Sequence, residues 1–451
     1  MLPANPAAMM RSLRTAALTL IVGLGAVAPA AAQEAATKGA AKKTVEQPAG
    51  ADAAKDDASP KQGATAKQDE APKPGAAPAE RSSFSLSAAP GKGFTIATTD
   101  GRFSSTWRAR IQIRDTVTHD ASGTTNEINV KTVRLWTYGH VLVPELRYGV
   151  QLAFGGNDFE KDNYSPIFDA YVEYVKLRDL EVRVGQFFVP FDRARTIREF
   201  ALELVDRPNM VRELSLDRDV GLMLSSSNLF GSHNILGYNL FIGSGDGRNR
   251  FGGTKPGPLA LLRLTVRPFG TFDDDQEGDL ARERRPRLAL GFAGGYNYRT
   301  NRANSTYGSN LAVGTTNYIH GAADLVFKYG GFSVLAEGLV RKASTEHITG
   351  EVDGKPAEAW GRSGYGSLLQ LGMMVHRLVQ VVGRWEQLFA MKGTDPALIQ
   401  TANTQGRQLG GGLNVYLNGH AFKLQSDYHY LFGPEAAEGK HMVRFQVDAT
   451  F

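Results

Sequence analysis

From Phe103 to the end of the chain, apolar and polar residues alternate with a period of two, the period of β-strands whose two faces meet different surroundings. The last eleven residues show it most cleanly: Val443, Phe445, Val447, Ala449 and Phe451 share one face, and Met442, Arg444, Gln446, Asp448 and Thr450 the other. The alternation predicts sixteen strands, at 103–117, 128–142, 146–155, 167–176, 180–188, 219–227, 233–243, 259–267, 287–298, 317–328, 331–342, 365–376, 378–391, 407–417, 420–431 and 441–451. Short links at Pro144-Glu145, Arg178-Asp179, Gly330, Arg377 and Asn418-Gly419 alternate with long ones at 118–127, 156–166, 189–218, 244–258, 299–316, 343–364, 392–406 and 432–440. A soluble sandwich has no reason to gather its long loops at one end, whereas a transmembrane barrel has short periplasmic turns and longer extracellular loops. The charged connection 268–286 breaks that rule, and the pattern alone supplies no physical reason for it.

One face of these strands is apolar, with aromatics toward the ends, as lipid contact requires: Trp107, Ala109, Ile111 and Ile113; Tyr148, Val150, Leu152 and Phe154; Leu288, Leu290 and Phe292; Phe422, Leu424, Ser426, Tyr428 and Tyr430, with Ser426 the one polar member. The opposite faces carry Arg108, Arg110, Gln112 and Arg114, then Arg134, Arg147 and Gln151, then Lys423, Gln425, Asp427 and His429, a polar lining expected to be wet. The fold class is therefore all-β, a transmembrane antiparallel barrel of about sixteen strands, occupying 83–451.

Composition adds what precedes the barrel and excludes several chemistries. Arg11 and Arg14, the apolar run from Ala16 to Val27, and Ala30 and Ala32 before Gln33 predict a cleaved secretory signal at 1–32. Residues 33–82, rich in Ala, Lys, Gln, Pro and Asp, predict a disordered spacer that cannot bury a core. No cysteine is present, which removes disulfides and thiolate sites. A net charge of +5 over 451 residues, without basic clustering, does not point to nucleic acid. Nine scattered histidines lack metal-ligand spacing, so no metal or cofactor is expected. Ser232-His233-Asn234, read as part of a strand, points its neighbours to opposite sides and cannot converge for catalysis. Gly243-Ser244-Gly245-Asp246-Gly247 lacks the following helix that a phosphate-cradling loop needs, and reads as a loop tip.

Several motifs resemble, in order along the barrel, the phosphate-selective porin O and P family of outer-membrane channels. They are Asp169 to Tyr174 leading to Gly185 through Phe191, then Asp217 to Gly221, then Arg263 to Phe269, then Gly412 to Leu417 before Lys423-Leu424-Gln425. The resemblance implies a sixteen-stranded barrel, usually a homotrimer, whose third loop folds inward to narrow the pore. That loop corresponds to Pro190 to Asp217, which is also the longest connection in the strand pattern.

A channel selects by the charge and width of its lining. The candidate anion-binding or pore-lining residues are Arg108, Arg110, Arg114, Arg134, Arg147, Arg183, Arg198, Arg218, Arg263 and Arg267, because a guanidinium holds its charge and donates two parallel hydrogen bonds to an oxyanion. Among them Arg108, Arg110 and Arg114 are expected to be unpaired, with Arg134 completing a clamp on a shared anion. The acids Asp169, Glu173, Glu181, Asp324, Glu337, Glu386, Asp427 and Asp448 also face inward, and pairing with them would leave the arginines a structural role. In the third loop, Arg193, Arg195, Arg198, Arg207 and Arg212 are balanced by Asp192, Glu199, Glu203, Asp206, Glu213 and Asp217. The expected function is passive diffusion of small anions, phosphate or polyphosphate included, across the outer membrane of a Gram-negative bacterium. Membrane lipid and the barrel-assembly machinery are the expected partners, and nucleic acid is not. The alternatives are a general porin, or a non-conducting barrel serving as an enzyme or cell-wall anchor.

Overall fold

The computed structural model describes residues 83–156, 158–159, 165–250 and 257–451; the expected signal peptide at 1–32 and spacer at 33–82 lie outside the described residues. The chain opens with a hairpin of β1 (Phe84–Ala89) and β2 (Gly93–Thr98). The wall follows: β3 (Phe103–Asp120), β4 (Gly123–Val141), β5 (Val143–Ala153), β6 (Ile167–Tyr174), β7 (Glu181–Phe188), β8 (Arg218–Ser226), β9 (Leu236–Gly243), β10 (Leu259–Val266), β11 (Arg287–Thr300), β12 (Thr316–Tyr329) and β13 (Phe332–Ala343). After a loop hairpin of β14 (His347–Val352) and β15 (Lys355–Trp360), the wall continues with β16 (Gly364–Met374), β17 (Val379–Ala390), β18 (Arg407–Asn418), β19 (Phe422–Phe432) and β20 (Lys440–Thr450).

Each wall strand pairs antiparallel with its neighbours, and β20 returns to β3 with Val447 opposite Ile113 and Thr450 opposite Arg110. That pairing closes sixteen strands into a barrel and removes every open edge from the wall, as the alternation predicts. Phe451 extends the seam by one residue, exchanging backbone hydrogen bonds with Ala109. Ile113 on the outside is 49% exposed while Arg110 and Gln112 on the inside are each 2% exposed. The outer belt therefore needs lipid to cover it.

Several turns at the end opposite the long loops are tight. Gly330 and Gly331 take positive φ of 61° and 98° between β12 and β13, which suits the twist of a two-residue hairpin link and admits glycine without strain. The long loops at the other end carry elements that alternation does not reveal: the β14–β15 hairpin and α3 (Pro396–Gln405), whose first turn is capped by Asp395 accepting from Ala397 N at 2.7 Å. Ser232, His233 and Asn234 lie in a turn ahead of β9, which starts only at Leu236, so the strand expected from 233 is shorter.

The third loop turns inward, as expected, through α1 (Arg193–Thr196) and α2 (Asn209–Leu214). Phe191, Ala194, Met210, Val211, Leu214 and Leu216 pack on the inward faces of β12, β13, β16 and β17, where Val326, Leu335, Leu339, Leu368 and Leu388 form an apolar core. The long segment 267–286 also turns inward, from the opposite end. Glu277 and Asp279 are almost fully buried, and Glu277 N donates to Ala201 O at 3.3 Å. A uniformly wet lining was expected, and this corrects it: the half of the interior bounded by β12 to β19 is filled from both ends. The reason lies in the strands themselves, since a lining that carries leucines must be covered by protein.

Candidate functional site

The open space lies against β3 to β10. A neck of about 20 Å³ is lined by Arg110, Arg134, Arg198, Arg207 and Arg218, with Glu199, Gln151, Trp136, Phe188 and Phe200. That volume holds about one water molecule. A cavity of about 490 Å³, lined by Arg108, Trp136, Tyr138, Arg147, Tyr171, Glu173, Arg198 and Phe200 among others, adjoins it. A second, of about 660 Å³, runs past Arg183, Tyr171 and Arg263 to Arg267 and Asp273. Arg198 and Phe200 of the third loop border all three spaces.

Most candidate arginines are held by carboxylates. Arg110 donates from Nε to Asp448 Oδ1 at 2.9 Å and from Nη2 to Oδ2 at 2.5 Å. Arg114 pairs with Asp206 at 3.0 Å and bonds Gln446 Oε1. Arg134 is shared between Asp158 at 2.9 Å and Glu199 at 3.0 Å. Arg183 pairs with Glu173 at 2.5 Å, Arg218 with Asp169 at 2.7 Å, Arg263 with Asp324 at 2.6 Å and Arg267 with Asp274 at 3.0 Å. The expectation that Arg110 and Arg114 stand unpaired, with Arg134 beside them, is therefore corrected. β20 brings Asp448 to Arg110, and the inward loop brings Asp206 and Glu199 to Arg114 and Arg134; none of these partners is near in sequence. Glu199 shows the field they create. Burial would raise its carboxyl, but Arg134, Arg207 and Arg110 outweigh burial and hold it below the ordinary range.

Three candidates differ. Arg108, Arg147 and Arg198 form no ion pair among the described residues. Arg108 donates to Gly91 O at 2.6 Å and stacks over Trp136 at 5.0 Å, Arg147 reaches only Pro144 O at 3.4 Å, and Arg198 is exposed to the cavities. Asp169 and Glu173, the acids of the same wall, are already taken by Arg218 and Arg183.

Pattern reading missed the aromatic lining. Trp136 and Tyr138 face inward although Ile128 and Val130 on the same strand face outward, because the ladder slips between Gln112 and Ile113, which pair with Thr132 and Val130. The glycine-rich stretch does make a cradle, for a group of the protein itself: Gly245 N at 2.7 Å and Gly247 N at 3.2 Å both donate to the buried Asp219 carboxylate, joined by Ser244 Oγ at 2.5 Å.

The two inward segments join at a pair of carboxyls. Glu277 Oε2 accepts from Glu203 N at 2.6 Å and from Gln370 Nε2 at 2.8 Å, and Gln370 Nε2 also lies 2.8 Å from Glu203 Oε2. Burial and then the Glu277 charge push the Glu203 carboxyl up. A carboxyl raised by folding stabilises the folded junction below its unfolded pKa, about 4.3, and that contribution is lost as pH rises through the folded value. Amide protection of residues 274–280, corrected for intrinsic exchange, should accordingly fall between acid and neutral pH, and Glu277→Gln should flatten the profile. A flat profile in the unmodified protein would mean that burial does not hold a proton on Glu203.

No family model matches the chain, and no curated relative matches it. Solved structures share its fold. The anion-selective porin from Comamonas acidovorans matches at 12% identity over 77% of this chain and 99% of its own, with a TM-score of 0.50. Salmonella typhi OmpF, solved in complex with daunomycin, matches at 11% identity over 78% and 98%, with a TM-score of 0.52. At such identities the likeness is one of fold. A closed sixteen-stranded barrel of this fold, girdled by exposed apolar side chains, is an integral outer-membrane β-barrel.

Proposed function

We propose that the chain is a passive channel for small solutes with a preference for anions. The observation that supports it is the set of three guanidinium groups, Arg108, Arg147 and Arg198, without carboxylate partners around one water-accessible cavity beside the neck. Fixed positive charge on a low-dielectric wall concentrates anions and repels cations, and a pore needs no other chemistry to discriminate by sign. The paired arginines contribute less to selectivity, because each guanidinium is offset by the carboxylate behind it. For the same reason the phosphate preference implied by the sequence resemblance finds no cluster of free arginines in the neck, and the broader anion class is the better reading. The Comamonas porin that shares the fold is anion-selective, which accords with this.

A general porin is the second reading, favoured by the near balance of the remaining interior charge. The two part in a planar bilayer under a potassium chloride gradient. The zero-current potential should have the sign of anion preference, and Arg198→Glu should move it toward or past zero. Cation preference in the unmodified channel would overturn the proposal, and a potential indifferent to Arg198→Glu would remove Arg198 from the selective path.

A further inference from the structure

We propose that the 490 Å³ cavity is a subsite for planar organic anions, aromatic carboxylates above all, in preference to inorganic phosphate; this rests on the anion-channel reading. The cavity wall interleaves guanidinium groups with rings. Arg108 and Trp136 both line it, 5.0 Å apart, and its Tyr171 ring is backed at 4.5 Å by Arg183 of the 660 Å³ cavity. Phe200 and the exposed Arg198 line it too, and Arg110 of the neck lies 5.8 Å from the Phe200 ring. Tyr138, 41% exposed, adds a further ring to the lining.

Phosphate and an aromatic acid ask different things of such a wall. Phosphate is strongly hydrated, presents oxygen in all directions and needs converging donors to replace its water. The neck's guanidinium groups already spend donors on Asp448, Asp158 and Asp169, and the amide cradle at Gly245 and Gly247 is filled by Asp219. The three free arginines stand apart on different elements, so each offers charge without a cage. An aromatic carboxylate needs only one such charge for its carboxylate end, while its ring face gains contact with Phe200, Trp136 or Tyr171 and displaces loosely held water. A guanidinium stacked on a ring also presents its plane to a second ring. The volume falls in the range of organic-ligand pockets, several times what a phosphate fills.

The test is block of chloride current in planar bilayers by sodium benzoate, benzene-1,2-dicarboxylate, cyclohexanecarboxylate and inorganic phosphate, alongside direct calorimetric binding of the same compounds to folded barrel in detergent. Benzene-1,2-dicarboxylate should half-block at a concentration about tenfold below that of phosphate, with cyclohexanecarboxylate weaker than benzoate. Phe200→Leu, which keeps bulk and removes the ring, should weaken the aromatic block by about fivefold, and Phe200→Tyr should restore it. Phosphate block equal to or stronger than aromatic block, or indifference to Phe200→Leu in protein that keeps its heat-modifiable mobility, would overturn the subsite. An anion-selective channel that no aromatic acid blocks or binds to would sink this inference alone. A barrel that binds aromatic acids without conducting would sink the channel reading and keep the subsite.

Discussion

The variant Asp448→Ala should lose about 3–5 kcal/mol of barrel stability, the range for removing one partner of a buried pair. Asp448 is fully buried on the last strand and Arg110 nearly so on the first, and their two-point hydrogen bond crosses the seam that closes the barrel. Gln112 donates to the same carboxylate at 3.0 Å, and Lys423 is its cross-strand neighbour on β19. Without the carboxylate, the Arg110 guanidinium keeps only Glu199, at 3.8 Å, and most of its desolvation cost stays uncompensated. Asp448→Asn retains the shape and one acceptor, so its loss should be smaller. Urea unfolding in micelles, followed by the shift between folded and heat-denatured electrophoretic bands, measures both. Matching midpoints for Asp448→Ala and the unmodified protein would mean that water, rather than Asp448, satisfies Arg110.

Arg193→Met should release the third loop and change the current more than any other single substitution. Arg193 is 5% exposed and ties together parts that approach from three directions. Its Nε donates to Asp324 on β12 at 2.7 Å, and its Nη1 donates to Asp274 of segment 267–286, to the carbonyl at 2.9 Å and to Oδ2 at 3.0 Å. Its own amide and that of Ala194 bond Glu337 on β13 at 2.9 and 3.0 Å. Methionine matches the length and fills the space, but Asp324 and Asp274 then depend on Arg263 and Arg267 alone. Single-channel records should show larger and noisier openings as the loop leaves the wall, and trypsin should cut the third loop in the folded barrel. Unchanged conductance with an intact loop would show that the apolar core around Met210 and Leu214 is sufficient to hold it.

Alternation carried the wall because each strand meets lipid on one side and something else on the other, and that contrast is written residue by residue. All sixteen strands lie within a few residues of their expected spans. What the inner side meets is written elsewhere. Leu335, Leu339 and Leu368 look like ordinary strand residues until Met210 and Leu214 arrive from more than 100 positions away. The same distance hid the partners of Arg110 and Arg114: periodicity assigns a face, and only the register of β20 and the path of the loop assign a carboxylate. The slip opposite Gln112 reverses the facing of half of β4, so counting from Ile128 or Val130 misplaces Trp136 and Tyr138, while counting from Arg134 puts both inward. The hairpin of Phe84 to Thr98, pairing Leu86 with Ile96 and stacking Phe94 on Trp107, was overlooked ahead of the first long strand. Segment 267–286 showed its oddity in Asp273, Asp274 and Asp275, but its destination is set by Arg193, Arg267 and Gln370.

The two inward segments also set an order of events for folding. The third loop precedes in the chain the strands whose inward leucines it covers, β12, β13, β16 and β17, and its contacts with Glu337, Glu386 and Asp427 span 144, 177 and 222 residues. Contacts of such long range form late and slowly. Until β13, β17 and β19 exist, the apolar side chains of that loop have no wall to cover them and are exposed to self-association. The outer wall could zip strand by strand, since each strand needs only its neighbour, but the filling has to be seated before or as β20 meets β3, because afterwards its only way in is past the loops. Closure of this barrel is thus also the sealing of a core, and a sequence that made the seam faster without making the filling faster would trap an empty shell.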